Sequence, residues 1–92
     1  MTVSAKVTVI HEVGLHVRPA AVFVQTASQF QSDIKVANLT TDKGPVNAKS
    51  SLLVLTLGVE KDFQIELTAE GPDEQEALDA LTKLIQENFG EE

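Results

Sequence analysis

The chain holds two histidines, His11 and His16, and no cysteine. An imidazole is therefore the first candidate for nucleophilic chemistry, while disulfides, thiolate zinc sites and cysteine nucleophiles are excluded. His16 stands in the string Gly14-Leu15-His16-Val17-Arg18-Pro19-Ala20-Ala21, immediately before a stretch with helical periodicity. An imidazole there faces the first-turn N–H groups, which have no intrahelical partners, and the positive end of the helix dipole, which favours the uncharged ring. An uncharged ring nitrogen is a nucleophile, and the same N–H groups suit a phosphate carried on that nitrogen. Arg18 can add a planar guanidinium to bind phosphoryl oxygens. The competing explanation is that His16 is a structural cap or an ordinary surface residue. His11 lies at the end of the first expected strand, and no ligand motif joins it to His16 and Glu12, so neither a metal nor a cofactor is expected. The carboxylates of Asp73-Glu74-Gln75-Glu76 are accounted for by their place at a helix start.

The elements around this string follow from hydrophobic period. Val3, Ala5, Val7 and Val9 alternate with polar residues, as in a strand with one buried face. Val17, Ala20, Ala21, Phe23, Val24, Ala27 and Phe30 fall on one stripe and predict a helix over about Val17 to Gln29. Pro19 is compatible with that helix only in its first turn, where no intrahelical N–H bond is lost, and this sets the helix start near His16. Asp33 to Leu39 alternates, with Ile34, Val36 and Asn38 on one side. The turn-rich Thr40 to Pro45 then reverses the chain into Val46 to Ala48. The leucine-dense run from Ser51 to Gly58 fits a helix of about two turns ending at a glycine, although a buried strand remains compatible with it. Asp62 to Ala69 alternates again, with Phe63, Ile65, Leu67 and Ala69 on one face. A last helix is expected with Asp73 as N-cap, Glu76 as its capping-box partner, and a stripe of Ala77, Leu78, Leu81, Leu84, Ile85 and Phe89. The order βαββαβα implies an α+β fold in which an antiparallel sheet is covered by helices on one side.

Composition narrows the functions further. Ninety-two residues form one expected domain, residues 1–92, and 42% hydrophobic against 23% charged residues is the balance of a globular chain. No apolar run, Leu52 to Leu55 included, approaches the length of a membrane span, and Met1 to Ile10 lacks the pattern of a secretory signal, so a cytoplasmic location is expected without membrane insertion. The net charge of −7 argues against nucleic-acid binding. All of the excess lies between Glu70 and Glu92, where eight acidic residues face Lys83 alone, and a solvated helix face with an acidic tail explains it.

The string Gly-Leu-His-Val-Arg-Pro-Ala-Ala resembles the active-site string of HPr, the histidine-containing phosphocarrier of the phosphoenolpyruvate-dependent sugar phosphotransferase system. Val24-Gln25-Thr26-Ala27-Ser28, Val46-Asn47-Ala48-Lys49-Ser50 and the stretch from Ala69 through Asp73 to Leu78 stand in the family's order, so the resemblance covers essentially the whole chain. It implies an open-faced β-sandwich of four antiparallel strands and three helices. It also implies that His16 accepts a phosphoryl group from enzyme I on Nδ1 and passes it to IIA units of sugar permeases, with Arg18 stabilising the phosphorylated ring. The protein is then a carrier rather than an enzyme. Alternation between partners favours a monomer. Ser50 matches the family's regulatory serine, which a serine kinase/phosphorylase modifies in some members; a plain N-cap is the alternative. Leu52 and Leu55, three apart on one helix face, fit the family's partner-docking patch, with core packing as the alternative. Ser51 and Leu53 stand where the family commonly has isoleucine and glycine, which bears on kinase recognition more than on transfer. Two other readings remain: a carrier of a nitrogen-related or regulatory branch, and a binding domain in which His16 and Arg18 only cap.

Overall fold

The computed structural model describes residues 2–90. Along the chain run strand β1 (Thr2–Thr8), helix α1 (Val17–Ala27), strands β2 (Asp33–Asn38) and β3 (Lys43–Asn47), helix α2 (Ser51–Thr56), strand β4 (Gln64–Glu70) and helix α3 (Glu74–Gln86). A short 3-10 turn, Asn88–Gly90, follows. The strands form one sheet in the order β1-β4-β2-β3 with every neighbouring pair antiparallel, and the order βαββαβα is the one read from the sequence. Among the described residues no helix is long and apolar enough to cross a membrane.

Period-two alternation gives the sheet one apolar face. In the register, Val7 lies opposite Ile65, Ala5 opposite Leu67, Val36 opposite Leu67 and Ile34 opposite Ala69, so inward side chains of three strands meet on the same side. Phe23 of α1 and Leu81 and Ile85 of α3 are buried in the same core. The other sheet face, with Thr2, Ser4, Lys6 and Thr8 on β1, is exposed. The β1–β4 pairing continues one step past the strands through Val9 N–H to Phe63 O at 2.9 Å and Asp62 N–H to Val9 O at 2.7 Å, which delivers the chain to the loop that carries His16.

Several expectations are corrected. The α1 stripe is narrower than its sequence: Ala20, Phe23 and Ala27 are buried, while Ala21 is exposed and Val17 is 74% exposed. Val17 sits in the first turn of α1 and lines a surface depression together with Leu55 of α2. Strand β3 begins at Lys43, three residues before the expected Val46. The pairing shifts by one residue between Val36↔Val46 and Asn38↔Lys43, and this bulge on an edge strand accommodates Pro45, which has no N–H to donate. Phe89 is buried but lies outside α3, in the terminal 3-10 turn. The Leu52–Leu55 run is helix and not strand. Ser50 is its N-cap, and Gly58, with φ of 61°, supplies the left-handed residue just beyond its end.

The Asp73–Glu76 capping box does not form. Asp73 has φ of −118° and ψ of 31°, and its side chain makes no cap bond. Its carboxylate instead accepts from the Ser32 hydroxyl, from Gln31 N–H at 2.9 Å and from Ser32 N–H at 2.9 Å, tying the start of α3 to the α1–β2 connection. The Ser32 hydroxyl first and the Gln31 N–H second hold the Asp73 carboxyl below the usual aspartate range. The unfolded chain therefore takes up this proton first on acidification, and the contribution to stability is complete above about pH 4 and lost as pH falls below it. The melting-temperature difference between the wild type and Asp73→Ala should accordingly be largest near neutral pH and shrink on titration towards pH 2; a gap independent of pH would contradict the assignment.

Asn38 is a fully buried polar side chain that joins the end of α2 to the sheet. Its Nδ2 donates to Leu57 O at 2.9 Å and its Oδ1 accepts from Thr41 N–H at 3.2 Å. Asn38→Leu leaves the Leu57 carbonyl without a partner and should cost about 1–3 kcal/mol in denaturant titration. A neutral result would mean that the carbonyl finds another donor.

Candidate functional site

The site is built where α1 begins. Gly14 adopts φ of 65° and its N–H donates to His11 O at 2.9 Å, closing a tight turn. The chain then presses against the segment after α2, and Leu15 N–H donates to Val59 O at 2.9 Å. A Cβ at Gly14 would meet Val59 O at 2.2 Å and Glu60 Cα at 2.5 Å, so glycine is the residue that this approach admits. Leu15 and Val59 are buried, and His16, the next residue, emerges exposed.

His16 is the N-cap residue of α1 in extended conformation, with φ of −84° and ψ of −169°. Its carbonyl accepts the first helical bond, from Ala20 N–H at 2.8 Å. Its ring makes no cap hydrogen bond, which removes the structural-cap explanation for its position. The N–H groups of Val17 and Arg18 have no partner among the described residues, Pro19 has none to offer, and no acidic side chain occupies the first turn. An uncharged or anionic group on the ring would therefore find open donors and the positive end of the helix beside it. Arg18 is exposed and forms no hydrogen bond or ion pair among the described residues, so its guanidinium is available as well.

Two surface depressions are lined in part by His16. One, of about 370 Å³, is lined by Leu15, Val17 and Leu55 and by the chain from Gly58 to Glu60. The other, of about 510 Å³, is lined by His11, Val13, Val17, Arg18 and Pro19. The structure thus brings His16, Arg18 and Leu55 together. Ser50 and Leu52 line neither depression. Ser50 caps the far end of α2 and its hydroxyl accepts from Leu53 N–H at 3.3 Å, about two turns away from the end that approaches His16. Leu52 is 73% and Leu55 38% exposed, so core packing does not account for either.

The sequence reading missed part of this surface. Val17, assigned to the buried stripe, is instead exposed next to His16, and Leu53 is 41% exposed beside Leu52. Val59 and Glu60 lie more than 40 residues from His16 and carry no local signal that would link them to it. His11 is not a second exposed imidazole: it is 8% exposed, its Nδ1 accepts from Val13 N–H at 3.2 Å, and its ring packs edge-to-face on Phe89 at 5.8 Å.

Known proteins resemble this chain in sequence and in fold. The Vibrio cholerae multiphosphoryl transfer protein is 49% identical over 78 residues, covering 85% of this chain but 20% of its own length. The chain spans about a fifth to a quarter of the curated relatives it matches. Among solved structures, HPr-C-His from Thermoanaerobacter tengcongensis superposes with a TM-score of 0.91 at 47% identity and 98% coverage of both chains. The phosphocarrier protein HPr of Bacillus anthracis superposes with a TM-score of 0.86 at 40% identity, over 92% of this chain and 98% of that one. Residues 3–87 match the family described as the PTS HPr component phosphorylation site. With that match over nearly its whole length, and with the sheet order and helix placement just described, the chain belongs to the HPr family of the phosphotransferase system.

Proposed function

We propose that the chain, as a single carrier domain, shuttles phosphoryl groups on His16 within the sugar phosphotransferase system. The lone pair of a ring nitrogen, Nδ1 in the family pattern, forms the nitrogen–phosphorus bond as the bond to the donor breaks and the donor keeps its electron pair. Transfer onward reverses this, with the imidazole as leaving group. The free N–H groups of Val17 and Arg18 and the Arg18 guanidinium meet the phosphoryl oxygens. No net chemistry is completed on this chain alone; it is a carrier, and its partners supply the rest of each site. The donor is enzyme I and the acceptors are IIA units of sugar permeases, which implies a cytoplasmic setting. Leu52 and Leu55, extended by Val17, offer the apolar contact for both partners in turn, and a carrier that alternates between them is best served by remaining monomeric. Ser50 is a site for a serine kinase/phosphorylase: a phosphate there would add about 1.5 to 2 negative charges beside Leu52 and weaken docking to enzyme I.

The observation that carries this reading is an exposed imidazole that makes no cap hydrogen bond, next to two amides and a guanidinium that have no partner among the described residues. Incubation with phosphoenolpyruvate and a cognate enzyme I should place one acid-labile, base-stable phosphate on the protein. An acid-stable phosphate, or none, would overturn the proposal.

A further inference from the structure

The two depressions that meet at His16 differ in charge. Arg18 lines one; the other carries a carboxylate, Glu60. Glu60 is exposed, and its side chain has no hydrogen bond or ion pair among the described residues, whereas the neighbouring Lys61 is engaged with Glu12 at 3.5 Å. Its place is set by the backbone. The close approach of Gly14 to Glu60 Cα and the bond from Leu15 N–H to Val59 O lock the Glu60 segment against the residues that present His16. No cation of the same depression neutralises it, since the other lining residues are apolar apart from His16 itself.

Resting on the reading of His16 as a phosphoryl carrier, we infer that Glu60 sets the transfer potential of the site: its carboxylate repels a phosphoryl dianion on His16 and lowers the share of the group that His16 holds at equilibrium. Arg18 and the open amides attract the group from one side, and Glu60 opposes them from the other. No bond to Glu60 is made or broken; the nitrogen–phosphorus bond forms and breaks as described above, with one occupancy more favourable than the other. One carboxylate and a dianion about 10 Å apart in a water-like dielectric repel enough for about a two- to fivefold bias, and salt screens it. The same field makes the partner's cationic groups welcome on this side of the ring.

The test is a competition. Isotope-labelled wild-type protein and Glu60→Gln are mixed in equal amounts with catalytic enzyme I and only about one-twentieth as much phosphoenolpyruvate as carrier, so that the ratio of occupancies equals the equilibrium bias, and intact mass spectrometry reads the phosphate on each. At low salt Glu60→Gln should hold about two to five times as much phosphate as the wild type. The ratio should fall towards one near 1 M salt, and Glu60→Asp, which keeps the charge, should stay near the wild type. Equal occupancy at low salt overturns the inference, as does a bias that survives high salt, because that would reflect local packing. Parallel labelling of His16→Ala separates the two readings. Equal occupancy with the label confined to His16 removes the role of Glu60 alone, whereas a label retained in His16→Ala, or no label at all, removes the carrier reading and Glu60 with it.

Discussion

His16→Ala is expected to abolish the acid-labile phosphate while leaving the fold untouched. The ring is exposed and makes no cap hydrogen bond, so the usual penalty for losing an N-cap side chain does not apply. A surface change of this kind stays within about 0.5 kcal/mol, or about 4 °C in melting temperature. Loss of the label should nevertheless be complete, because the other imidazole is buried against Phe89 with its Nδ1 occupied by the Val13 N–H. His11→Gln makes the opposite pattern: the label is retained and the melting temperature falls, since an edge-to-face contact and a buried hydrogen bond are disturbed. Labelling with phosphoenolpyruvate and enzyme I, read beside thermal melts of the three proteins, checks both halves. Equal labelling of His16→Ala, or a collapse of its melting temperature, would show that this ring has a structural role instead.

Gly14→Ala should cost the fold far more than His16→Ala, although it adds one methyl group. Alanine at φ of 65° is disfavoured by about 1–2 kcal/mol. The added Cβ would also lie 2.2 Å from Val59 O and 2.5 Å from Glu60 Cα, both backbone atoms that no side-chain rotation can move aside. The segments must separate, and with them goes the Leu15 N–H to Val59 O bond, worth about another 1 kcal/mol. A total near 3 kcal/mol is a large part of the 5–15 kcal/mol that holds a typical domain together, and it lowers the melting temperature by more than about 10 °C. Phosphoryl acceptance should fall as well, even well below the melting temperature, because the same two segments fix where His16 emerges. A melting temperature within 3 °C of the wild type would mean that the approach of Gly14 to Val59 is looser than the geometry requires.

Much of this molecule could be read without coordinates. The alternation of Val3 to Val9 and of Ile65 to Ala69, the helical stripe of α3 and the placement of Pro19 all depend on short-range rules of period and hydrogen bonding, and short-range rules leave their mark in adjacent residues. The same holds for His16 at a helix start, because Pro19 tolerates only the first turn. Asp73 shows where that legibility ends. It stands at a helix start with Glu76 three residues on, yet its carboxylate turns to Gln31 and Ser32, more than 40 residues away, since three donors there outcompete a local box. Val17 shows the same limit for apolar residues: it continues the α1 stripe by spacing, but a stripe position is buried only if another element lies over it.

The sequence by itself determined the element order, the open-faced α+β arrangement, and an imidazole and a guanidinium at the mouth of α1. Only the tertiary structure decided what surrounds them. It set Gly14 against Val59, left Val17, Leu52 and Leu55 in solvent, withdrew His11 behind Phe89 and brought Glu60 to the rim beside His16. The physical reason is that secondary structure is settled by neighbours in the chain, whereas exposure, charge environment and backbone approach are settled by which distant segments pack together, and packing is a property of the whole core.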